Sequence, residues 1–100
     1  MSVLYLPTQI TKTVAAAGTP EVIAADGTYF RQATIIGKKS ARTNNTSAIY
    51  LGVSSTNDTQ AITIQPGESQ SISMPREGMG DLNDWYIDVE TAGDGVIVIY

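Results

Sequence analysis

Apolar and polar side chains alternate with a period of two in several short segments of the chain. In the first of them Ile49, Leu51 and Val53 share one face. Alternation of this kind, with one polar face, is typical of half-buried antiparallel β-strands. The pattern therefore predicts a strand in each of these segments: residues 48–53, 61–64, 69–74 and 85–90.

The segment 85–90 carries the one tryptophan of the chain. Period-two alternation directs Trp85, Ile87 and Val89 toward the core. The other side chains of the segment are then expected to point into water: Tyr86, Asp88 and Glu90. The paired carboxylates on this strand are thus interpreted as a solvated face.

Turn-forming residues separate the apolar runs, and the predicted strands recur roughly every 8–12 residues, as in a sandwich or barrel. Residues 65–68 (Gln-Pro-Gly-Glu) predict a tight connection, because Pro fixes φ and Gly supplies φ > 0. Residues 93–95 (Gly-Asp-Gly) predict a turn that makes a hairpin of residues 85–90 and 96–100. Helix is scarce, with one short turn expected after Asp81 as its cap.

These features predict an all-β fold, a single antiparallel β-sandwich that is jelly-roll-like or immunoglobulin-like. One domain covers residues 1–100, and residues 1–10 either belong to the sandwich or extend from it as an N-terminal arm. Residues 3–6 and 96–100 are apolar on both faces. A strand of this kind is covered on both sides, either by its own chain or by another subunit.

Charge excludes several classes of partner. The chain has a formal net charge of -4 and only six basic residues. A nucleic-acid binder neutralises phosphates with a basic face, and an anionic membrane surface makes a similar demand. We therefore expect no nucleic-acid partner and no membrane partner.

The composition also disfavours catalysis. The chain contains no histidine and no cysteine, the residues that serve most often as proton shuttle and strong nucleophile. The segment 81–84 (Asp-Leu-Asn-Asp) is too short for a calcium loop and fits a capped turn better. Gly78-Met79-Gly80 lacks the context of a phosphate loop and is interpreted as a loop with one exposed methionine. No enzyme activity, cofactor, metal or small-molecule substrate is expected.

Charge is placed unevenly along the chain. Basic residues cluster in one stretch (Arg31, Lys38, Lys39 and Arg42), and acidic residues crowd the last quarter. These groups are either solvated or form a contact between subunits, basic edge to acidic edge. We also assign the apolar segment to a candidate interface, together with two outward-facing tyrosines: Val3, Leu4, Tyr5, Leu6, Tyr50 and Tyr86.

Four sequence segments in the second half of the chain resemble a small β-domain found among structural proteins of tailed bacteriophages. They are residues 43–52, 64–69, 81–89 and 92–100. Proteins of this kind decorate or cement a capsid, or lie in the neck and tail. The resemblance implies a role in the virion and oligomeric assembly, and it supplies no catalytic or ligand residues.

The expected function is that of a non-enzymatic capsid decoration or cement protein. It would lie on the capsid surface of the virion after synthesis in the host cytoplasm. It would bind the major capsid protein or other virion subunits, and form a homo-oligomer. The first alternative is a tail or neck adhesin, or a carbohydrate-binding β-module, with tyrosines as stacking faces. A small hydrolase is the second alternative.

Overall fold

The computed structural model describes residues 6–38, 47–56, 59–75 and 78–100. These residues form ten β-strands and one 3₁₀ turn, Leu82–Asp84. The strands in chain order are β1 (Gln9–Thr13), β2 (Glu21–Val22), β3 (Tyr29–Phe30), β4 (Gln32–Gly37), β5 (Ile49–Gly52), β6 (Ile62–Ile64), β7 (Ser69–Ser73), β8 (Gly80–Asp81), β9 (Tyr86–Val89) and β10 (Gly95–Ile99).

Two four-stranded sheets, antiparallel throughout, make up the sandwich. The first has the strand order β1-β10-β4-β7, and the second has the order β2-β9-β5-β6. A separate two-stranded sheet pairs β3 with β8. The prediction of an all-β, antiparallel sandwich is confirmed.

The core lies between the two sheets, and both contribute to one cluster of buried side chains. Period-two alternation fills it, as in β10, where Val96 and Val98 are fully buried. In β5, Ile49 and Leu51 are buried as expected, but Val53 is 67% exposed. The prediction for Val53 is wrong because β5 ends at Gly52, so the alternation of faces does not continue to residue 53.

The turn after Asp81 forms as predicted. The Asp81 carboxylate accepts a hydrogen bond from the Asn83 amide at 2.9 Å and caps the 3₁₀ turn. Trp85 ends this turn just before β9 begins, so it lies half-buried and packs against the edge of the core cluster. Ile87 and Val89 occupy the core face of β9 as predicted.

The predicted hairpin of the last two strands is wrong. β9 pairs with β2 and β5 in one sheet, whereas β10 pairs with β1 and β4 in the other. Residues 91–94 form a tight turn, in which the Asp94 amide donates to the Thr91 carbonyl at 3.1 Å, and carry the chain from one sheet to the other. A turn sequence specifies the reversal of the chain, but the pairing partner depends on long-range contacts.

The connection at residues 65–68 is tight, as predicted. The Glu68 amide donates to the Gln65 carbonyl at 2.9 Å, and Gly67 has a φ of 85°. This turn also joins different sheets, since β6 lies in the second sheet and β7 in the first.

Asp88 is buried, so the prediction that it points into water is wrong. Its side chain is only 3% exposed. The outer face of β9 is covered by the loop after β1, and the Gly18 amide donates to Asp88 Oδ1 at 2.9 Å. The Val89 amide donates to the same oxygen at 2.8 Å, so the buried carboxylate has hydrogen-bond partners.

Two segments are apolar on both faces. The structure describes all of residues 96–100 and, of residues 3–6, Leu6. β10 is an inner strand of its sheet; Ile97 on its outer face is half-buried, and Ile99 is 37% exposed. Of the N-terminal segment, Leu6 is described and exposed. Further along, Thr8 exchanges backbone hydrogen bonds with Tyr100, and Gln9 begins β1.

Candidate functional site

A groove of about 600 Å3 opens at one end of the sandwich. Its lining comes from segments far apart in the chain: residues 6–8, residues 29–32 from β3 into β4, Met79 before β8, and Tyr100 after β10. The groove is therefore a product of the tertiary fold. It is the candidate functional site, and we refer to it as the apolar groove.

Two sets of backbone hydrogen bonds build the walls of the apolar groove. Thr8 and Tyr100 bond to each other in both directions, at 2.6 and 2.9 Å, which fixes residues 6–8 beside the end of β10. Pairing of β3 with β8 sets Phe30 opposite Gly80 and so brings the preceding Met79 to the groove.

Gly80 is required for this arrangement. A Cβ atom at Gly80 would lie 2.7 Å from the ring of Phe30, closer than side chains tolerate. Phe30 is 3% exposed and belongs to the core cluster. The glycine therefore lets the Phe30 ring enter the core directly behind the groove.

The groove exposes large apolar side chains to water. Leu6 is 78% exposed, Tyr29 is 61% exposed and Met79 is 59% exposed. The prediction that Met79 is an exposed loop methionine is confirmed. Apolar side chains that gather in one concave surface mark an interaction site more often than apolar side chains scattered singly.

The polar side chains of the groove are suited to binding a ligand rather than to catalysing proton transfer. Those of the described residues belong to Thr8, Arg31 and Gln32, with the hydroxyls of two tyrosines, and no aspartate or glutamate of the described ranges lines the groove. A proton-transfer site needs a group such as a carboxylate in reach of its substrate. Among the described residues no cluster of three or more potential metal ligands occurs. The arrangement can hold an apolar or aromatic group and offer a cation and an amide beside it.

Asp81 supports the groove from β8. Hydrogen bonds from the backbone amides of Asn83 and Gly27 stabilise the charged form of Asp81 and lower the pKa of its carboxyl group. The two oxygens hold different segments, since Oδ1 accepts from Asn83 and Oδ2 from Gly27, each at 2.9 Å. Asp81 thus ties the loop before β3 to the turn after β8.

Two of the predicted interface residues meet at this groove, Leu6 and Arg31. Tyr50 and Tyr86 lie elsewhere, on β5 and β9, and both are half-buried. The Tyr50 hydroxyl donates to the Glu90 carboxylate. The remaining predicted interface residues except Lys38 lie outside the described residues: Val3, Leu4, Tyr5, Lys39 and Arg42.

Lys38 is 6% exposed, so the expectation that it presents charge at the surface is wrong. It follows β4 directly, and its Nζ donates to the Thr13 hydroxyl at 3.3 Å. On the acidic side, Asp94 is 4% exposed and accepts from the Ser47 amide at 3.1 Å. Lys38, Asp88 and Asp94 are thus buried and form hydrogen bonds within the chain. Their burial weakens the hypothesis that subunits meet with a basic edge against an acidic edge.

Sequence reasoning missed the groove as a unit. Tyr29 and Met79 were recognisable singly, as an aromatic side chain and an exposed methionine. Their proximity depends on the pairing of β3 with β8, two strands of only two residues each. Strands this short show no periodicity, so no sequence signal identifies the pair.

Comparisons with protein-family models, with curated proteins and with solved structures found no match to this chain. Within the described ranges, no helix has the length and apolar character needed to cross a membrane.

Proposed function

We propose that this chain is a non-enzymatic structural protein that acts by binding other proteins through the apolar groove. The observation that carries the proposal is the exposure of Leu6, Tyr29 and Met79 in one concave surface. The resemblance of the second half to structural proteins of tailed bacteriophages makes the proposed role capsid decoration, with the major capsid protein as partner.

Three properties support a binding role. The antiparallel sandwich is a scaffold of two hydrogen-bonded sheets, and the groove lies at one end of it. Burial of the groove against a partner removes apolar area from water, which contributes about 25 cal/mol per Å2. No aspartate or glutamate of residues 6–38, 47–56, 59–75 and 78–100 lines the groove, and the sequence contains no histidine or cysteine, which supports a non-enzymatic role.

Decoration also tolerates weak single contacts. Many copies on one capsid act together, and effective concentration raises the overall affinity well above that of one contact. A groove of this size can then stabilise a shell even though each interface is small.

Co-sedimentation tests the role. The chain is mixed with heads assembled from the major capsid protein of the same genome, and bound chain is measured after density-gradient centrifugation. Wild-type chain should sediment with the heads. The double variant Leu6→Ser/Met79→Ser should bind at least about tenfold more weakly, because loss of about 1.4 kcal/mol changes an equilibrium constant tenfold.

Val53→Ser is the matched control. Val53 is 67% exposed, similar to the two groove residues, and is not part of the groove. It should bind like the wild type. Wild-type chain that stays free of the heads would overturn capsid decoration. Binding that the double variant leaves unchanged would place the contact outside the groove.

A carbohydrate-binding adhesin is the second candidate. Tyr29 at 61% exposure and Tyr100 provide aromatic faces in the groove, and Arg31 and Gln32 provide hydrogen-bond donors. Sugar recognition commonly combines such stacking faces with fixed polar groups. A glycan array with wild type and Tyr29→Ser separates the candidates: binding that is lost with Tyr29 supports the adhesin, and absence of binding to all glycans counts against it.

A further inference from the structure

The sandwich has two lateral sides, and the edge strands of the two sheets are connected differently on each side. On one side β1 and β2, the outermost strands of the two sheets, are joined by an ion pair between Lys12 and Glu21 at 2.8 Å. On the other side the outermost strands are β6 and β7, connected by the turn at residues 65–68. Within the described part of the chain, β7 is the longer of these two, with five residues against three.

The hydrogen bonds between β7 and β4 show which residues of β7 direct their backbone amide and carbonyl groups toward β4. The Gly37 amide donates to the Glu68 carbonyl at 2.9 Å, and the Met74 amide donates to the Arg31 carbonyl at 2.8 Å. In an antiparallel pair, only alternate residues bond to the neighbouring strand. The residues at 68, 70, 72 and 74 therefore direct their backbone groups toward β4.

Ser69, Ser71 and Ser73 direct their backbone amides and carbonyls away from β4, toward the edge of the sheet, where no further strand of the described residues pairs. The side chains of these serines are exposed, and they lie on the face of the strand opposite the buried Ile72. Small exposed side chains leave the backbone edge accessible to another strand.

β7 also lacks two of the features by which natural proteins block an edge, a charged side chain and a proline. Its sequence, Ser-Gln-Ser-Ile-Ser, contains no charged residue and no proline. The side-chain amide of Gln70 donates to the Ser71 carbonyl at 3.2 Å, which occupies one acceptor of the edge with a side chain that can rotate away. The edge is a template for one more strand.

We propose that β7 pairs antiparallel with β7 of a second copy, about a two-fold axis at Ser71. This register sets Ser69 opposite Ser73 of the partner subunit, and Ser71 opposite Ser71 of the partner subunit. Each opposed pair exchanges two backbone hydrogen bonds. The first sheets of the two copies join into one continuous sheet of eight strands.

Charge favours a second copy as the occupant of the edge. Self-pairing sets a segment opposite itself, so a charged strand would meet a like charge at close range. β7 is neutral, and the adjoining Glu68 would face Met74 of the partner subunit rather than a second carboxylate. The net charge of -4 on each copy therefore does not oppose the contact locally.

The oligomeric state tests the proposal. Sedimentation equilibrium of the full chain at physiological salt, over a range of concentrations, should show a mass that approaches twice 10.6 kDa. Ser71→Lys and Ser71→Glu should each return the mass to that of one chain, because residue 71 opposes its own copy. An equimolar mixture of the two variants should recover the doubled mass, since Lys then faces Glu.

Thr11→Lys is the matched control on the other outer strand of the same sheet. The backbone groups of Thr8 bond to Tyr100, so by the same alternation Thr11 directs its own backbone groups away from β10, and its side chain is exposed. This variant should retain the wild-type mass. Circular dichroism checks that every variant remains folded.

Wild-type chain that remains at 10.6 kDa at all concentrations would overturn the proposal and leave the edge to a strand from another protein. A dimer that survives both Ser71 variants, or one that Thr11→Lys abolishes, would also overturn it. If the single Ser71 variants are monomeric but their mixture is monomeric as well, the register with Ser71 on the axis is wrong.

Discussion

Lys12 and Glu21 form an ion pair that joins the outermost strands of the two sheets, with Nζ and Oε1 2.8 Å apart. The Glu21 carboxylate also accepts a hydrogen bond from the Ala15 amide at 2.9 Å. The two residues are nine positions apart in sequence, and the residues between them lead from one sheet to the other. The Glu21 carboxylate thus holds β2 to β1 and also holds the loop that follows β1.

This arrangement predicts a pH dependence of stability. The hydrogen bond from Lys12, aided by that from Ala15, holds the pKa of Glu21 below its ordinary value. The folded state then binds fewer protons than the unfolded state, so the stabilisation is complete above the ordinary glutamate pKa of about 4.3 and is lost as pH falls through the lower folded value. Glu21→Gln should lose about 0.5–1 kcal/mol at neutral pH, a typical value for a partly exposed pair.

Thermal unfolding between pH 3 and 7 measures the effect. The melting temperatures of wild type and Glu21→Gln should converge at the acidic end. Asp84→Asn, which removes an exposed carboxylate elsewhere, controls for the loss of one negative charge. Melting curves that differ by a constant amount at every pH would show that ionisation of Glu21 is not the cause.

Gly95 should be intolerant of any side chain. A Cβ atom there would lie 2.0 Å from the Lys12 carbonyl oxygen and 2.8 Å from Thr13 Cα, both of them backbone atoms of β1. Gly95→Ala should cost about 3 kcal/mol, since β1 must shift away from β10. For a domain of this size the melting temperature should fall by roughly 15 °C.

Gly93→Asn is the comparison for Gly95→Ala. Gly93 has a φ of 93°, and a Cβ atom at this position would meet nothing within 4 Å. Asparagine tolerates the left-handed region better than other residues, so the cost should be about 1 kcal/mol. Equal loss of stability in the two variants would argue that β1 accommodates the added methyl group at little cost, so that contact with β1 does not limit position 95.

Lys38 should behave as a buried residue. Lys38→Glu places a carboxylate at a position that is 6% exposed, and the expected loss is about 2–3 kcal/mol. Arg31→Glu reverses a basic charge on an exposed side chain and should change stability by about 0.5 kcal/mol or less. Chemical denaturation compares the two. Equal midpoints would contradict the burial of Lys38.

β10 provides a test of which face carries the stability. Val98 is fully buried, whereas the adjacent Ile99 is 37% exposed. Val98→Ser removes apolar volume from the core and buries a hydroxyl, so it should cost about 2–3 kcal/mol. Ile99→Ser should cost less than about 1 kcal/mol. A larger effect at Ile99 would indicate that the outer face of β10 is covered in solution, as in an oligomer.

The strands with clear alternation were predictable from the sequence alone. Ile49 and Leu51 in β5, and Ile87 and Val89 in β9, are buried because side chains on a strand alternate between two faces and only one face meets the core. The cap at Asp81 was predictable for a similar reason, since its carboxylate bonds to an amide two residues away.

Properties that depend on contacts across the chain were decided only by the tertiary structure. The turn at residues 91–94 is encoded locally, yet β10 pairs with β1 and β4 of the other sheet and not with β9, which precedes the turn. Asp88 is buried because a loop 70 residues earlier in the chain covers it, and the Gly18 amide of that loop donates to its carboxylate. The apolar groove likewise exists because the fold holds Tyr100 beside Thr8 and β3 beside β8, segments that are far apart in the chain. Local pattern specifies which face of a strand is apolar, whereas the packing of the whole chain determines what that face meets.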